Sequence, residues 1–217
     1  MEQERVLREF LITSADGLGI TLTDQQARQF LIYLSQLLTW NRTTNLTSII
    51  DPHEVISKHF VDSLTALNAF MFPVKGVVVD AGSGAGFPGI PLNIVRNDLR
   101  LVLVEPSLKK CSFLRSIVGT LKLETVSVFP GSLAQYAAQE PRPMADAIVV
   151  RALKTEEIAE PAALILKATG RLLLYQTKRA DDAHPSNAFR VESNHDFSLP
   201  MQQGNRVVTV LTKDARI

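Results

Sequence analysis

The sequence predicts an α/β protein: a mostly parallel sheet with helices on both faces, preceded by a helical extension. Three observations carry this. From residue 76 onward, short apolar runs at 76–80, 101–105, 126–129, 147–150 and 172–175 alternate with amphipathic segments. Strands that lack a polar face belong to a sheet buried on both sides. The last two runs, 189–197 and 206–212, have no helix between them, so they should pair antiparallel and bring the sheet to seven strands. Before residue 76 nothing reads as a strand.

Each element has a local cause. Thr23-x-x-Gln26 fits a capping box at a helix start. Phe30, Leu31, Leu34, Leu37 and Leu38 then recur at three- and four-residue spacing, one buried helix face. Asp51-Pro52-x-Glu54 is a second start, with Pro where its missing N–H costs nothing. The helix through Val55, Ile56, His59 and Phe60 should bend or restart before Leu64. After the first strand, a glycine-rich turn leads into a helix through Ile90, Leu92, Ile94 and Val95. Ser107 caps a helix containing Cys111, Phe113, Leu114, Ile117 and Val118, and helical stretches follow near 132–138 and 155–167. The expected organisation is a helical N-terminal extension over 1–70, packed on a core of 71–217 that forms one structural unit.

Composition narrows the function classes. With 46% hydrophobic and 21% charged residues, the 217-residue chain is not a disordered protein. One cysteine excludes an intramolecular disulfide and a Cys-rich zinc module. The opening MEQERVLREF carries five charges and no signal-peptide core, and no apolar stretch approaches the ~18–20 residues of a membrane span. A cytoplasmic protein without membrane contact, and a monomer, is expected. Net charge is +1, but Arg96 to Lys122 holds six basic residues against two acidic ones, either a phosphate-facing surface or a solvated helix face. His53, His184 and His195 lack metal-ligand spacing, so no metal is expected. Cys111 follows two lysines, which would lower its pKa, unless it is a small core residue.

The chemically informative segment is Asp80-Ala81-Gly82-Ser83-Gly84-Ala85-Gly86-Phe87-Pro88-Gly89, at the carboxyl end of the first strand, where open α/β sheets place ligands. Four glycines in eight residues exceed what a plain turn needs. Gly84-x-Gly86-x-x-Gly89 also satisfies a dinucleotide fingerprint, with Glu105 as the ribose-binding acid. Yet the strand ends in Asp80, whose carboxylate would face a pyrophosphate of like charge. A cationic ligand reverses that sign. S-adenosylmethionine carries an ammonium and a sulfonium, so the acid, the glycines and a second acid 25 residues after Asp80 read best as a methyl-donor site. No Gly-Lys-Ser/Thr follows, which excludes a P-loop.

At this point the chain resembles the ribosomal RNA small subunit methyltransferase G family, also called glucose-inhibited division protein B. The resemblance rests on Trp40-Asn41-Arg42 with Asn45-Leu46-Thr47-Ser48, on Lys58-His59-Phe60-Val61-Asp62-Ser63-Leu64, and on the glycine turn extended through Ile90-Pro91-Leu92. Lys109-Lys110 to Phe113-Leu114 and Val150-Arg151-Ala152 complete it. It implies a class I methyltransferase (Rossmann-like) fold, S-adenosylmethionine as donor, and transfer to N7 of one guanine in 16S ribosomal RNA, within the small subunit or its precursor. The expected cofactor residues are Asp80, Gly82, Gly84, Phe87 and Glu105, with Leu133 and Ala134 flanking the adenine and Arg151 completing the pocket. Arg42, Asn45, Lys58, His59 and Lys178 are candidate RNA contacts, His59 being equally a buried structural histidine. Two departures stand out: Gln176-Thr177 replaces the family's Lys-Gly, with Lys178 one step later, and Lys58 stands where relatives often have Arg.

Guanine N7 carries a lone pair and no proton, so its methylation needs no general base and no catalytic acid or base is named. The task is positioning. Competing readings are a methyltransferase acting on a small molecule or protein, a non-catalytic RNA-binding module, and, more distantly, a nicotinamide-dependent oxidoreductase. Near-neutral charge favours a folded ribosomal particle over naked RNA as the acceptor.

Overall fold

A computed structural model describes residues 2–140, 142–179, 188–200 and 204–214. At its centre lie β1 (Val77–Ala81), β2 (Arg100–Glu105), β3 (Val126–Pro130), β4 (Ala145–Arg151), β5 (Leu166–Gln176), β6 (Phe189–Ser198) and β7 (Asn205–Lys213). They form one seven-stranded sheet in the order β3-β2-β1-β4-β5-β7-β6. Strands β1 to β5 run parallel, and β7 is antiparallel to both β5 and β6. The terminal pair is thus antiparallel as expected, and β7 inserts between β5 and β6.

The helices are α1 (Glu2–Asp16), α2 (Asp24–Thr44), α3 (Pro52–Val55), α4 (Asp62–Leu64), α5 (Ala66–Ala69), α6 (Gly89–Val95), α7 (Leu108–Leu121), α8 (Leu133–Gln139) and α9 (Thr155–Ile165). Alternate strand residues feed two cores, which is why the strands are apolar throughout. Val78, Leu101, Leu103, Val149 and Leu173 pack with α6, α7 and the N-terminal helices, so Leu11, Phe30 and Leu37 share a core with the sheet. Val79, Val104, Ile148, Val150 and Leu172 pack with α8 and α9 on the other face. The Thr23–Gln26 capping box is present. Gln26 also donates to the carbonyls of Ile94 and Val95 (both 3.2 Å), tying the start of α2 to the end of α6.

Two details differ from the sequence reading. The expected bend is a π-helical turn, Ile56–Val61, between α3 and α4. The helix expected over 155–167 stops at Ile165, and β5 begins at once with Leu166. Apolar Leu164-Ile165-Leu166 satisfies helix and strand periods alike. The ladder decides: the Met144 N–H donates to the Ile165 carbonyl (2.7 Å) and Leu166 pairs with Ala145.

Candidate functional site

Strand order reverses between β1 and β4, and at the carboxyl ends of the strands there two clefts open side by side. The first, about 360 Å³, lies among the glycine turn, Glu105 and Arg151–Leu153. The second, about 700 Å³, lies among Lys58, Asp62, Tyr175–Arg179 and Arg206. His59, Arg151 and Ala152 line both.

In the first cleft the backbone does most of the shaping. The N–H groups of Gly82 and Ser83 donate to the Val104 carbonyl (2.9 and 3.1 Å), pinning the turn to β2. At Gly84 (φ +60°) an added Cβ would meet only the Gly82 carbonyl, 3.9 Å away, so it would project into open space that a ligand could fill. Glu105 is buried, and its two oxygens accept from Gly84 N–H (2.8 Å) and Ser107 N–H (2.9 Å). Each oxygen retains a second lone pair, enough for a ribose diol. These features fit the sugar of S-adenosylmethionine.

Asp80 is placed differently from the expectation that it faces the ligand. It lies wholly buried beneath the turn and does not line the cleft. One oxygen accepts from Gly89 N–H (2.9 Å) and the other has no partner. Burial raises its pKa to about 7, against the lowering effect of the Gly89 hydrogen bond and the Arg151 charge. Close approach explains the fourth glycine, because a Cβ on Gly89 would sit 2.7 Å from the Asp80 carboxylate. Leu133 and Ala134 also lie off the cleft wall, Leu133 buried and Ala134 exposed at the start of α8. The Gly131 N–H, donating to the Glu105 carbonyl (3.1 Å), brings that helix start beside the turn.

The wall shared by the two clefts is a polar chain. Arg151 donates to the Asp62 carboxylate (3.2 Å), to the Lys58 carbonyl (3.3 Å) and to His59 Nδ1 (3.2 Å), and its guanidinium lies 5.0 Å from the Phe87 ring centroid. Because Arg151 only donates, His59 Nδ1 accepts and Nε2 carries the proton, donating to Thr47 Oγ1 (2.8 Å). Burial, then the Arg151 charge, lowers the His59 pKa to about 3, so the ring is neutral. It stacks on Phe87 at 4.6 Å and 19°. Thr47 Oγ1 also accepts from Ile49 N–H (3.1 Å), so its own proton is left to donate.

Residues 26–208 match the family model of rRNA small subunit methyltransferase G, GidB. The chain belongs to that family. Proteins named ribosomal RNA small subunit methyltransferase G from Pelotomaculum thermopropionicum and Pseudomonas putida are 36% and 34% identical to it. The first alignment covers 96% of this chain and 91% of the relative, the second 95% of each. Among solved structures, a SAM dependent methyltransferase from Aquifex aeolicus aligns with TM-score 0.56 at 16% identity, covering 77% of this chain and 97% of that one. M. jannaschii TYW2 in complex with AdoMet aligns with TM-score 0.52 at 19% identity, covering 72% and 77%. The fold is therefore that of the class I, S-adenosylmethionine-dependent methyltransferases.

Within this member of the GidB family the candidate RNA residues separate. Lys58, His59 and Lys178 line the second cleft; Arg42 and Asn45 line neither. Asn45 (φ 50°) ends α2 in the left-handed conformation, and Asn41 folds the following loop through two bonds to the Thr47 backbone (2.8 and 2.9 Å). The Asn-Leu-Thr-Ser block thus presents Thr47 to the first cleft. The basic stretch from Arg96 to Lys122 is not one surface. Lys109 and Lys110 begin α7 at the ligand edge, whereas Arg96 pairs with Asp98 (2.7 Å) and Arg100 and Lys122 lie at the opposite edge. Cys111 is a buried core residue, its thiol 3.0 Å from the Glu105 carbonyl, and burial raises its pKa rather than the lysines lowering it. His184 lies outside the described residues. Sequence reasoning missed Asp62 and Arg206: Asp62 stands inside a recognised block without an evident role, and Arg206 has no local signal.

Proposed function

We propose that the chain transfers the methyl group of S-adenosylmethionine to N7 of a specific guanine in 16S ribosomal RNA, within the small ribosomal subunit or its precursor. The observation that carries this reading is the adjacency of the two clefts. A glycine-turn cleft suited to the donor shares Arg151 and His59 with a larger cleft lined by Lys58, Lys178, Arg179 and Arg206. Family membership supplies ribosomal RNA as the acceptor class.

S-adenosylmethionine supplies the activated methyl group. Gly84 lets the backbone approach it, Glu105 offers lone pairs to the ribose, and the Phe87–His59 stack with Arg151 forms the partition that orients acceptor against donor. The described cleft residues hold no poised base. His59 has both nitrogens engaged, Asp62 is buried against Arg151, Glu105 accepts two backbone N–H groups, and the Tyr175 hydroxyl donates to the Ser63 carbonyl (2.6 Å). Such a site suits an acceptor atom with a lone pair and no proton to lose. A flexible or loop guanine is the fitting target, since a stacked duplex base would have to be extruded.

The test is transfer of tritiated methyl from S-adenosylmethionine to small subunits lacking their own guanine-N7 methylation, with naked 16S RNA and an unrelated protein in parallel. Label mapped to guanine N7 in the particle is the expected result. Donor binding without RNA label rejects the ribosomal acceptor and favours a small molecule or protein. Absence of donor binding rejects the enzyme.

A further inference from the structure

The floor of the larger cleft is built around one buried carboxylate and two guanidiniums. Asp62, its side chain 3% exposed, follows directly on the π-helical turn. One of its oxygens takes Arg151 Nη1 at 3.2 Å; the other faces Arg206 Nε at 3.4 Å but receives no hydrogen bond. Arg206 reaches this place only because β7 is reversed. Val207 pairs with Gln176 at the end of β5, so the start of β7, not its end, lies at the ligand edge.

Counting charges across the floor shows what is missing. Lys58 is met by Glu54 (2.8 Å) and Arg179 by Asp196. Arg151 and Arg206 share Asp62, the only carboxylate among the described residues that line this cleft. Two guanidiniums over one carboxylate leave excess positive charge in a half-dry place, where an anion with several acceptor oxygens is the fitting complement. Arg206 uses Nη1 on the Asn205 carbonyl (3.0 Å), and its side chain is 21% exposed, open toward the cleft.

Resting on the reading of this cleft as the RNA acceptor site, we propose that Arg206 binds the RNA through a backbone phosphodiester, and that Asp62 is the positioning residue that holds its guanidinium there. The ion pair draws the Nε side toward the carboxylate, leaving Nη2 to meet a phosphate oxygen. Lys178 adds a further charge beside it on the same cleft.

The experiment compares wild type with Arg206→Gln, Arg206→Lys and Asp62→Asn, using Arg190→Gln as a control at the start of β6, on the opposite sheet edge. For each, affinity for S-adenosylmethionine, affinity for the RNA of small subunits lacking their own guanine-N7 methylation at several salt concentrations, and methyl transfer to those subunits are measured. Arg206→Gln should weaken RNA binding about ten-fold and flatten the plot of log affinity against log salt by about 0.7, with donor affinity within about two-fold of wild type. Arg206→Lys should keep the salt slope but not the affinity, because an ammonium lacks the guanidinium geometry. Asp62→Asn should also keep the slope while losing affinity, and Arg190→Gln should change neither.

Unchanged RNA affinity and salt slope in Arg206→Gln overturn the proposal. Equal losses of donor and RNA binding overturn it too, by making Arg206 a structural part of the shared wall. If wild type binds RNA, loses it with Arg206→Gln, yet labels no guanine, the proposed reaction fails and this inference stands. If wild type binds no RNA, both fail.

Discussion

Asp80→Asn should reverse the usual expectation that replacing a buried acid beneath a binding turn is harmful. In the folded chain the carboxyl has a pKa of about 7, against an ordinary 3.8. The folded state therefore keeps a proton that the unfolded state releases, and wild-type stability falls as pH rises from about 4 to about 7, then levels off. Integrated, that cost reaches roughly 4 kcal/mol at pH 8 and less than about 2 kcal/mol at pH 5. An asparagine is neutral throughout. Its carbonyl can keep the Gly89 N–H bond (2.9 Å in the wild type), while its amide occupies the place of the unpartnered oxygen at a fixed cost of about 1–3 kcal/mol. The constant cost cancels in a pH series, so the asparagine variant should gain about 2–3 kcal/mol relative to wild type between pH 5 and pH 8. Urea unfolding of both proteins at four pH values measures it. A difference that stays constant, or moves against asparagine, would refute the reasoning and show that the carboxylate is ionised in the fold throughout.

Other consequences are open to similar tests. Gly84→Ala forces a side chain to φ +60° and into the first cleft, costing about 1–2 kcal/mol by denaturation and at least ten-fold in donor affinity by calorimetry. Gly119→Ala, on α7 with nothing within 4 Å, should instead stabilise by about 0.5–1 kcal/mol. Arg151→Met strips Asp62 of its hydrogen-bonded partner and leaves it only the Arg206 ion pair, so it should destabilise by about 3 kcal/mol at neutral pH, the low end for a broken buried pair. That loss should shrink as pH falls, because burial already raises the Asp62 pKa and protonation removes the under-compensated charge. With the His59 pKa near 3, His59 should contribute no inflection to the transfer rate between pH 6 and 8; one that disappears in His59→Gln would contradict the neutral, doubly bonded ring.

Much of the fold was legible because its determinants are local or periodic. The Thr23–Gln26 box, Pro52 at a helix start, and apolar runs ending at Asp80 and Glu105 each act within a few residues. The glycine-turn cleft was readable for the same reason, its backbone being one contiguous turn. What sequence order hides is long-range. Asp80 could be seen as an acid at a strand end, but its direction depends on Gly89 folding back over it. The six basic residues from Arg96 to Lys122 form one patch only in a linear reading; β2 and α7 carry them from one sheet edge to the other and back. Arg206 is the extreme case, 144 residues from Asp62, joined to it only by the reversed strand.

The placement of β7 between β5 and β6 also bears on how the molecule assembles as it is synthesised. Residues up to Leu153 already contain the glycine turn, Glu105 and Arg151, so the first cleft can take shape while the rest of the chain is still emerging. The sheet beyond β5 cannot be laid down in the same order. β6 is made first but has no partner until β7 arrives and slots between it and β5, because every described ladder bond of β6 goes to β7. Until then β5 shows a bare edge and Asp62 lacks its second guanidinium. A nascent chain would therefore acquire its glycine-turn cleft first, and complete the cationic floor beside it only with the last strand to be threaded.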